Sequence, residues 1–326
     1  MPDAGRMLYV PALLRGTDLG AVRRRAAAYR SSAVDGDLVR VRPGVYARDE
    51  EWRRARPEGR VVARARALIM GASAEPVLSH ETAAAVHGFP LFRPHATKVH
   101  VSLEPCRPGA ARGTIRHRAQ LRDEDIVIVD GLRVTSMVRT VADVARTASF
   151  EQAVVVADAA LRRVAGERPD RYDEVRAAEF RREVMSVAER SAHGVARASR
   201  VLAFADGRAQ LPGESISRIR LTELGFRGIS LQLPVPGPHG ESYLVDFAVG
   251  EGRAGWLGEF DGRIKYADAD LRSGRSVESV VDDEKRREDW IRGVRQQPMA
   301  RWGWPHIDTA DLLGARLRAF GIRPPR

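Results

Sequence analysis

Apolar positions along this chain recur with two different periods, and the two predict different elements. Near the N-terminus Leu38-Val39-Arg40-Val41-Arg42 alternates, Pro43-Gly44 can turn, and Val45-Tyr46-Ala47 returns, which predicts a short β-hairpin. The preceding "LGAVRRRAAAYRSSAV" predicts a helix with a basic face. A basic helix followed by a basic hairpin matches the last helix and wing of a winged helix-turn-helix. An ordinary surface hairpin alternates in the same way. "RVVARARALIMGAS" and "LSHETAAAVHGFPL" have helical spacing, the second with Ser79 as N-cap and Gly88 as C-cap. "TKVHVSLEP" and "GTIRHRAQL" predict strands around the "CRPGAARG" loop. "GLRVTSMVRTVADVAR" predicts a strand, a Ser136 cap and a helix, and "FEQAVVVADAALRR" a further helix. The stretch from about 168 to 200 reads as charged helix. His80 and His87 read as packing or capping residues, and this half of the chain shows no metal cluster, phosphate loop or repeat.

From about residue 205 the pattern changes. "GRAQLPGES" reads as a linker. "GESISRIRLTELG" predicts a helix from Glu214 to Gly225, with Ile216, Ile219 and Leu224 on its apolar side. "ISLQLPV", "ESYLVDFAV" and "WLGEFDG" predict three strands, "SVESVVDDEKRREDWIRGV" a helix, "MARWGWPHI" a strand and "DTADLLGARLRAF" a last helix. Polar Glu284, Lys285 and Glu288 interrupt the stripe of the long helix that should meet the sheet. This segment also holds four of the five tryptophans.

Composition narrows the class. Hydrophobic residues make up 44% of the chain and charged residues 30%, the balance of a soluble globular protein. No apolar run is long enough to span a membrane, and the start lacks the continuous apolar core of a secretory signal. The single cysteine, Cys106, can form no internal disulfide. Together these favour the cytoplasm. A net charge of +11 points to an anionic partner, with DNA as the first candidate. Arg and Ala richness from coding bias would give the same total.

The acids of the C-terminal strands carry the most specific chemistry. Glu259 and Asp261 share a strand face because side chains repeat every second residue. Pairing with the preceding strand brings Asp246 near them. Clustered carboxylates repel and raise one another's pKa unless a positive group compensates. A divalent cation such as Mg²⁺, bound by hard oxygens, would do so and could activate water toward a phosphodiester. Solvated acids on an open sheet are the competing reading.

"GES", "VDFAV", "GEFDGRIKY", "EKRREDWIRG" and "RWGW", in this order of elements, resemble the PD-(D/E)XK nuclease superfamily over residues 205 to 326. The branch related to the very-short-patch repair endonuclease is the most similar. The resemblance implies a restriction-endonuclease-like mixed sheet flanked by helices, with Glu214, Asp246 and Glu259 at the family's acidic positions. Asp261 stands where the motif has lysine, so Lys265 and Lys285 become candidates for a migrated lysine. The implied mechanism has Asp246, Glu259 and Asp261 holding Mg²⁺ or Mn²⁺, Glu214 as a further ligand, and Lys265 or Lys285 assisting water or the phosphate. Arg286 and Arg287 would contact backbone phosphates.

"GDLVRVRPGVYA", "LSHETAAAVHGFPL" and "GLRVTSMVRTVADVAR", within about 35 to 165, resemble AbiEi-family antitoxins of type IV toxin–antitoxin systems. That resemblance implies a winged helix on DNA, transcriptional repression and a cognate toxin protein. Arg23, Arg24, Arg25, Arg40 and Arg42 would then face DNA. The expectation is an α/β chain, α+β overall, in three parts: a winged-helix-like segment at 1–55, a mixed middle domain at 56–204 and a nuclease-like domain at 205–326. Two functions stay open: a metal-dependent DNA endonuclease, or an antitoxin-type repressor whose nuclease-like domain is inactive.

Overall fold

The computed structural model describes residues 8–18, 37–72, 76–94, 97–103, 109–111, 113–168, 171–252, 255–262 and 277–325. The chain is α+β, with helices and mixed sheets. It divides into two compact units, one of residues 1–164 with 174–205, the other of 165–173 with 206–326.

The first unit opens with a three-stranded sheet of β1 (Leu14–Arg15), β2 (Leu38–Arg42) and β3 (Val45–Arg48), ordered β1-β3-β2. The predicted hairpin is therefore present, with Gly44 at φ 76° in its turn. Val41, Val45 and Ala47 form a buried cluster with Trp52 of α1 (Asp49–Arg54) and Ala63 and Ala67 of α2 (Pro57–Met70). The hairpin thus shares its core with a helix beyond residue 55. The basic helix expected ahead of the hairpin, residues 19–34, lies outside the described residues.

The rest of this unit is a six-stranded sheet with helices. It contains β4 (Val77–Leu78), α3 (His80–Val86), β5 (Val99–Leu103), β6 (Gly109–Ala111), β7 (Thr114–Arg118), β8 (Ile126–Val129) and β9 (Leu132–Thr135). After these come α4 (Met137–Thr147), α5 (Phe150–Ala165), α6 (Glu174–Ala188) and α7 (Val195–Phe204). The strand order is β6-β7-β5-β4-β9-β8, parallel for β5/β7 and β4/β9 and antiparallel elsewhere. Helix α4 begins as the sequence predicts: Ser136 is its N-cap and its Oγ accepts from Arg139 N. Ser79 is the N-cap of α3, but its hydroxyl lies 3.0 Å from Nδ1 of His80 instead of capping the helix. Gly88, at φ 77°, follows the C-cap residue His87.

In the second unit α8 (Pro212–Glu223) is followed by β10 (Ile229–Pro236), β11 (Ser242–Val249), β12 (Trp256–Phe260), α9 (Val277–Arg295), β13 (Met299–Trp302) and α10 (Ala310–Ala319). The sheet order is β10-β11-β12-β13, antiparallel except for the parallel pair β12/β13. Parallel pairing requires a crossover, and α9 makes it. Ile291 of α9 packs with Val235, Val245, Leu257 and Met299. Helix α8 is tied to β13 by Trp302 Nε1–H, which donates to Ser217 Oγ at 2.8 Å.

"GRAQLPGES", read as a linker, directly follows the boundary between the units at 205/206 and is partly packed. Ala209 is buried, Gly213 opens α8 while buried, and a Cβ at Gly213 would lie 2.0 Å from the Phe260 ring. Tyr172 closes over the same segment, its hydroxyl accepting from Gly207 N and its ring lying 4.4 Å beneath the Arg208 guanidinium. Pro and Gly mark a turn in sequence, but here the turn is packed against β12.

Candidate functional site

The acids of the second unit are drawn together by the sheet register. Phe247 pairs with Gly258, so continuing the antiparallel register sets Asp246 opposite Glu259. Asp246 Oδ2 accepts from Phe260 N at 2.9 Å. On the other side Gln232 bridges two carboxylates: its Nε2–H donates to Glu214 Oε2 at 3.1 Å and Asp246 Oδ1 at 3.4 Å. Gln232 is buried at φ 53°, a left-handed conformation that is unusual inside a strand. Glu214, on the first turn of α8, also accepts from Gln210 N at 2.8 Å. One hydrogen-bonded chain therefore links Glu214, Gln232, Asp246 and the backbone beside Glu259.

Glu259 is buried, and its charge is met by arginines. Arg287 Nη1 lies 2.8 Å from Oε1, and Arg301 Nη2 lies 3.4 Å from Oε2. Arg301 also reaches Glu288 at 3.1 Å, and Glu288 pairs with Arg292 one turn along α9. Burial lowers the Arg301 pKa, but Glu259, Glu288, Glu284 and Asp261 outweigh it and raise the net value. Asp261 is half-buried just past β12, its N–H donating to Trp302 O at 2.7 Å. Of the polar residues that interrupt the α9 stripe, Glu288 is explained by its ion pair with Arg301. Glu288 and Arg287 turn toward ion-pair partners on the sheet, while Lys285 and Arg286 are exposed. Arg287 also donates to Leu244 O. Lys265 lies outside the described residues, as do Arg23, Arg24 and Arg25. In the hairpin Arg40 is exposed, and Arg42 is half-buried with Nη2 at 3.5 Å from Thr114 Oγ1.

A second cluster lies in the six-stranded sheet, in a part of the chain where no local spacing suggests one. Among the described residues, the group with three ligating side chains close enough for one metal ion is His80, His100 and His117, whose nitrogens lie within 4.8 Å of one another. His100 sits on β5 and His117 on the adjacent parallel β7; Ser102 pairs with His117, so both histidines point to one face. His100 Nδ1 and His117 Nε2 are 3.0 Å apart, and the His80 ring stacks on His117 at 3.5 Å. His80 follows β4 at φ 52°, and Ser79 N donates to His100 O at 3.0 Å. Burial, then His117 and His100, hold the His80 pKa well below its ordinary value. Burial, then Arg146, lowers His117 to about 4.

No protein-family model matches the chain. Two Mycobacterium tuberculosis proteins, the uncharacterized proteins MT2308 of strain CDC 1551 and Rv2248 of strain H37Rv, are each 32% identical to it over 294 residues. The match covers 86% of this chain and 96% of each relative. The chain belongs to their family. A crystal structure of the Rv2827c protein from Mycobacterium tuberculosis is also similar, with a TM-score of 0.32 and 17% sequence identity, covering 59% of this chain and 76% of that one.

In this member of the family, the structure joins Glu214 and Asp246 through Gln232 and sets Asp246 beside the backbone that follows Glu259. Sequence reasoning missed Gln232 and Arg301 in that cluster. Period-two spacing could have placed Gln232 opposite Asp246 once the turn "PGPHG" fixed the register. The histidine trio was missed for a different reason. Its members come from a helix start and two strands, and no local spacing connects them.

Proposed function

We propose that the chain is a DNA-associated protein whose C-terminal domain uses a nuclease-like scaffold to bind rather than to cleave. The observation that carries this reading is the pairing of Glu259 with both Arg287 and Arg301. Two guanidiniums supply the positive charge that a metal would otherwise bring to this acid, and Asp261 replaces the lysine a hydrolase of this class would use. Lys285, the migrated-lysine candidate within the described residues, is exposed. The affinity for DNA would be electrostatic, from a chain of net charge +11 and a hairpin with Arg40 on its open face. The antitoxin resemblance makes a repressor with a cognate toxin the natural setting.

One observation favours a second reading, a Mg²⁺- or Mn²⁺-dependent DNA endonuclease. Glu214 and Asp246 both bond to the Gln232 amide, so a small hard cation that displaced this amide would find carboxylate oxygens on two sides. Arg287 or Arg301 would then neutralise the phosphate in place of lysine.

Fluorescence anisotropy with duplex DNA at increasing salt, run beside a cleavage assay in Mg²⁺ and Mn²⁺, separates these. The expected result is binding whose log affinity falls linearly with log salt, weakening in Arg40→Ala, with no cleavage in either metal. Cleavage abolished by Glu259→Gln would establish the second reading. Absence of DNA binding at low salt would end both.

A further inference from the structure

We propose that His80, His100 and His117 form a binding site for one first-row divalent transition metal of the zinc class. This is independent of the carboxylate cluster and of any action on DNA.

The geometry comes first. Three imidazoles present nitrogens within 4.8 Å of one another. Tetrahedral zinc with nitrogen ligands at about 2.0–2.1 Å sets those nitrogens about 3.3 Å apart. His100 Nδ1 and His117 Nε2, at 3.0 Å, already stand near that separation. Each neutral imidazole presents one bare nitrogen, so a metal replaces the contact between these two rings once both tautomers turn their lone pairs inward. Bringing His80 in requires its ring, now stacked on His117 at 3.5 Å and 16°, to rotate out of the stack, because imidazole coordinates in its own plane.

The surroundings hold the ligands in place. Ser79 Oγ lies on Nδ1 of His80, which leaves the other ring nitrogen for the metal. Thr82 Oγ1 accepts from His100 N at 2.9 Å, and Ser79 N donates to His100 O at 3.0 Å. The chain before and within α3 is therefore clamped to β5 at the residue that ligates. The left-handed backbone of His80, a strained conformation for a side-chain-bearing residue, turns its ring onto His117.

The charge state also fits. Burial keeps His80 and His117 neutral at physiological pH, the form that coordinates. Arg139 and Arg146 are the nearby cations. Both are tied to Asp143, at 2.9 and 3.3 Å, so their charge is offset locally. An all-imidazole set selects zinc, cobalt, nickel or copper over Mg²⁺ or Ca²⁺, which take oxygen ligands. Three protein ligands leave one coordination position, and half-buried His117 places it on the open side of the cluster for water or a small anion.

The test is a titration of the full-length protein, freed of metal, with Co²⁺ followed by visible absorption, then competition by Zn²⁺, with Mg²⁺ as control. The expected result is one equivalent of Co²⁺ bound with tetrahedral ligand-field bands, displaced by Zn²⁺ and unaffected by Mg²⁺. His117→Gln should lower the affinity at least tenfold while the metal-free melting temperature holds. His100→Gln should behave alike, and if that buried variant does not fold, His117→Gln decides. No Co²⁺ or Zn²⁺ bound at micromolar concentrations, or affinity unchanged in a folded His117→Gln variant, would overturn the proposal.

Discussion

At the scale of single residues, burial decides what a charge or a ring can do. His87 has a lowered pKa because burial disfavours its charged form, which outweighs the Thr135 carbonyl that its Nε2 meets at 2.8 Å. In the unfolded chain the ring titrates near its ordinary value of 6.5. The unfolded state therefore takes up protons first as pH falls. Stability from this group is complete above that value and is lost as pH drops toward the folded pKa. His87→Gln keeps a donor for Thr135 and removes the titration. Urea unfolding from pH 7.5 to 5 should show the wild type losing more stability than the variant; parallel losses would contradict the assignment. Gly213 is a steric case. Its missing Cβ makes room for the Phe260 ring, itself buried and edge-on to Trp304 at 5.3 Å. Gly213→Ala should cost about 1–3 kcal/mol in thermal or chemical unfolding. It should also disturb Asp246, whose carboxylate holds the Phe260 amide.

Elements are joined by ion pairs as much as by apolar contact. Helix α4 is anchored by Arg139, which reaches Asp125 at 3.2 Å and Asp143 at 2.9 Å, while Arg190 of the segment after α6 meets Asp125 at 3.0 Å. Burial raises Asp143, against the pull of Arg139 and Arg146. The run "SMVRTVADVAR" thus encodes a cap, an apolar face and a buried ion network within one helix. In the second unit α9 is fastened to β12 and β13 through Arg287–Glu259 and Glu288–Arg301. Arg287→Met leaves Glu259 with Arg301 alone and should destabilise by about 1–3 kcal/mol, discounted for the partial exposure of Arg287. The double variant Arg287→Met, Glu259→Gln should recover part of that loss, because the uncompensated buried charge is gone. Equal stability of the single and double variants would remove the ion pair from the account of this interface.

At the scale of the molecule the two units differ in composition and in chemistry. No helix among the described residues is long and apolar enough to cross a membrane. The second unit has its own apolar cluster under α9 and its own four-stranded sheet. Residues 206–326 expressed alone should therefore unfold cooperatively by circular dichroism. A separate peptide of residues 165–173 should raise the midpoint when added to this fragment, because Tyr172 packs over Gly207 and Arg208. A fragment without a cooperative transition would show that this unit depends on the rest of the chain.

The sequence alone determined the elements whose signals are local. Alternating Val and Arg specified the β2/β3 hairpin, Ser136 the start of α4, and the succession of apolar periods the helix, three strands, helix, strand and helix after residue 205. These follow from side-chain period and cap chemistry, which act over a few residues. Asp246 was placed near Glu259 on the same logic, since pairing of neighbouring strands follows from a short connection. The tertiary structure decided what each charge and ring meets. Arg301 reaches Glu259 only because β13 returns parallel to β12 after α9. Gln232 meets Glu214 only because the fold brings the start of α8 beside β10. Parts of the "GRAQLPGES" segment are packed because Tyr172 and Phe260 close on Gly207, Arg208 and Gly213 from distant parts of the chain. His80, His100 and His117 meet because β4, β5 and β7 lie side by side, an arrangement fixed by long-range strand pairing rather than by any spacing along the chain.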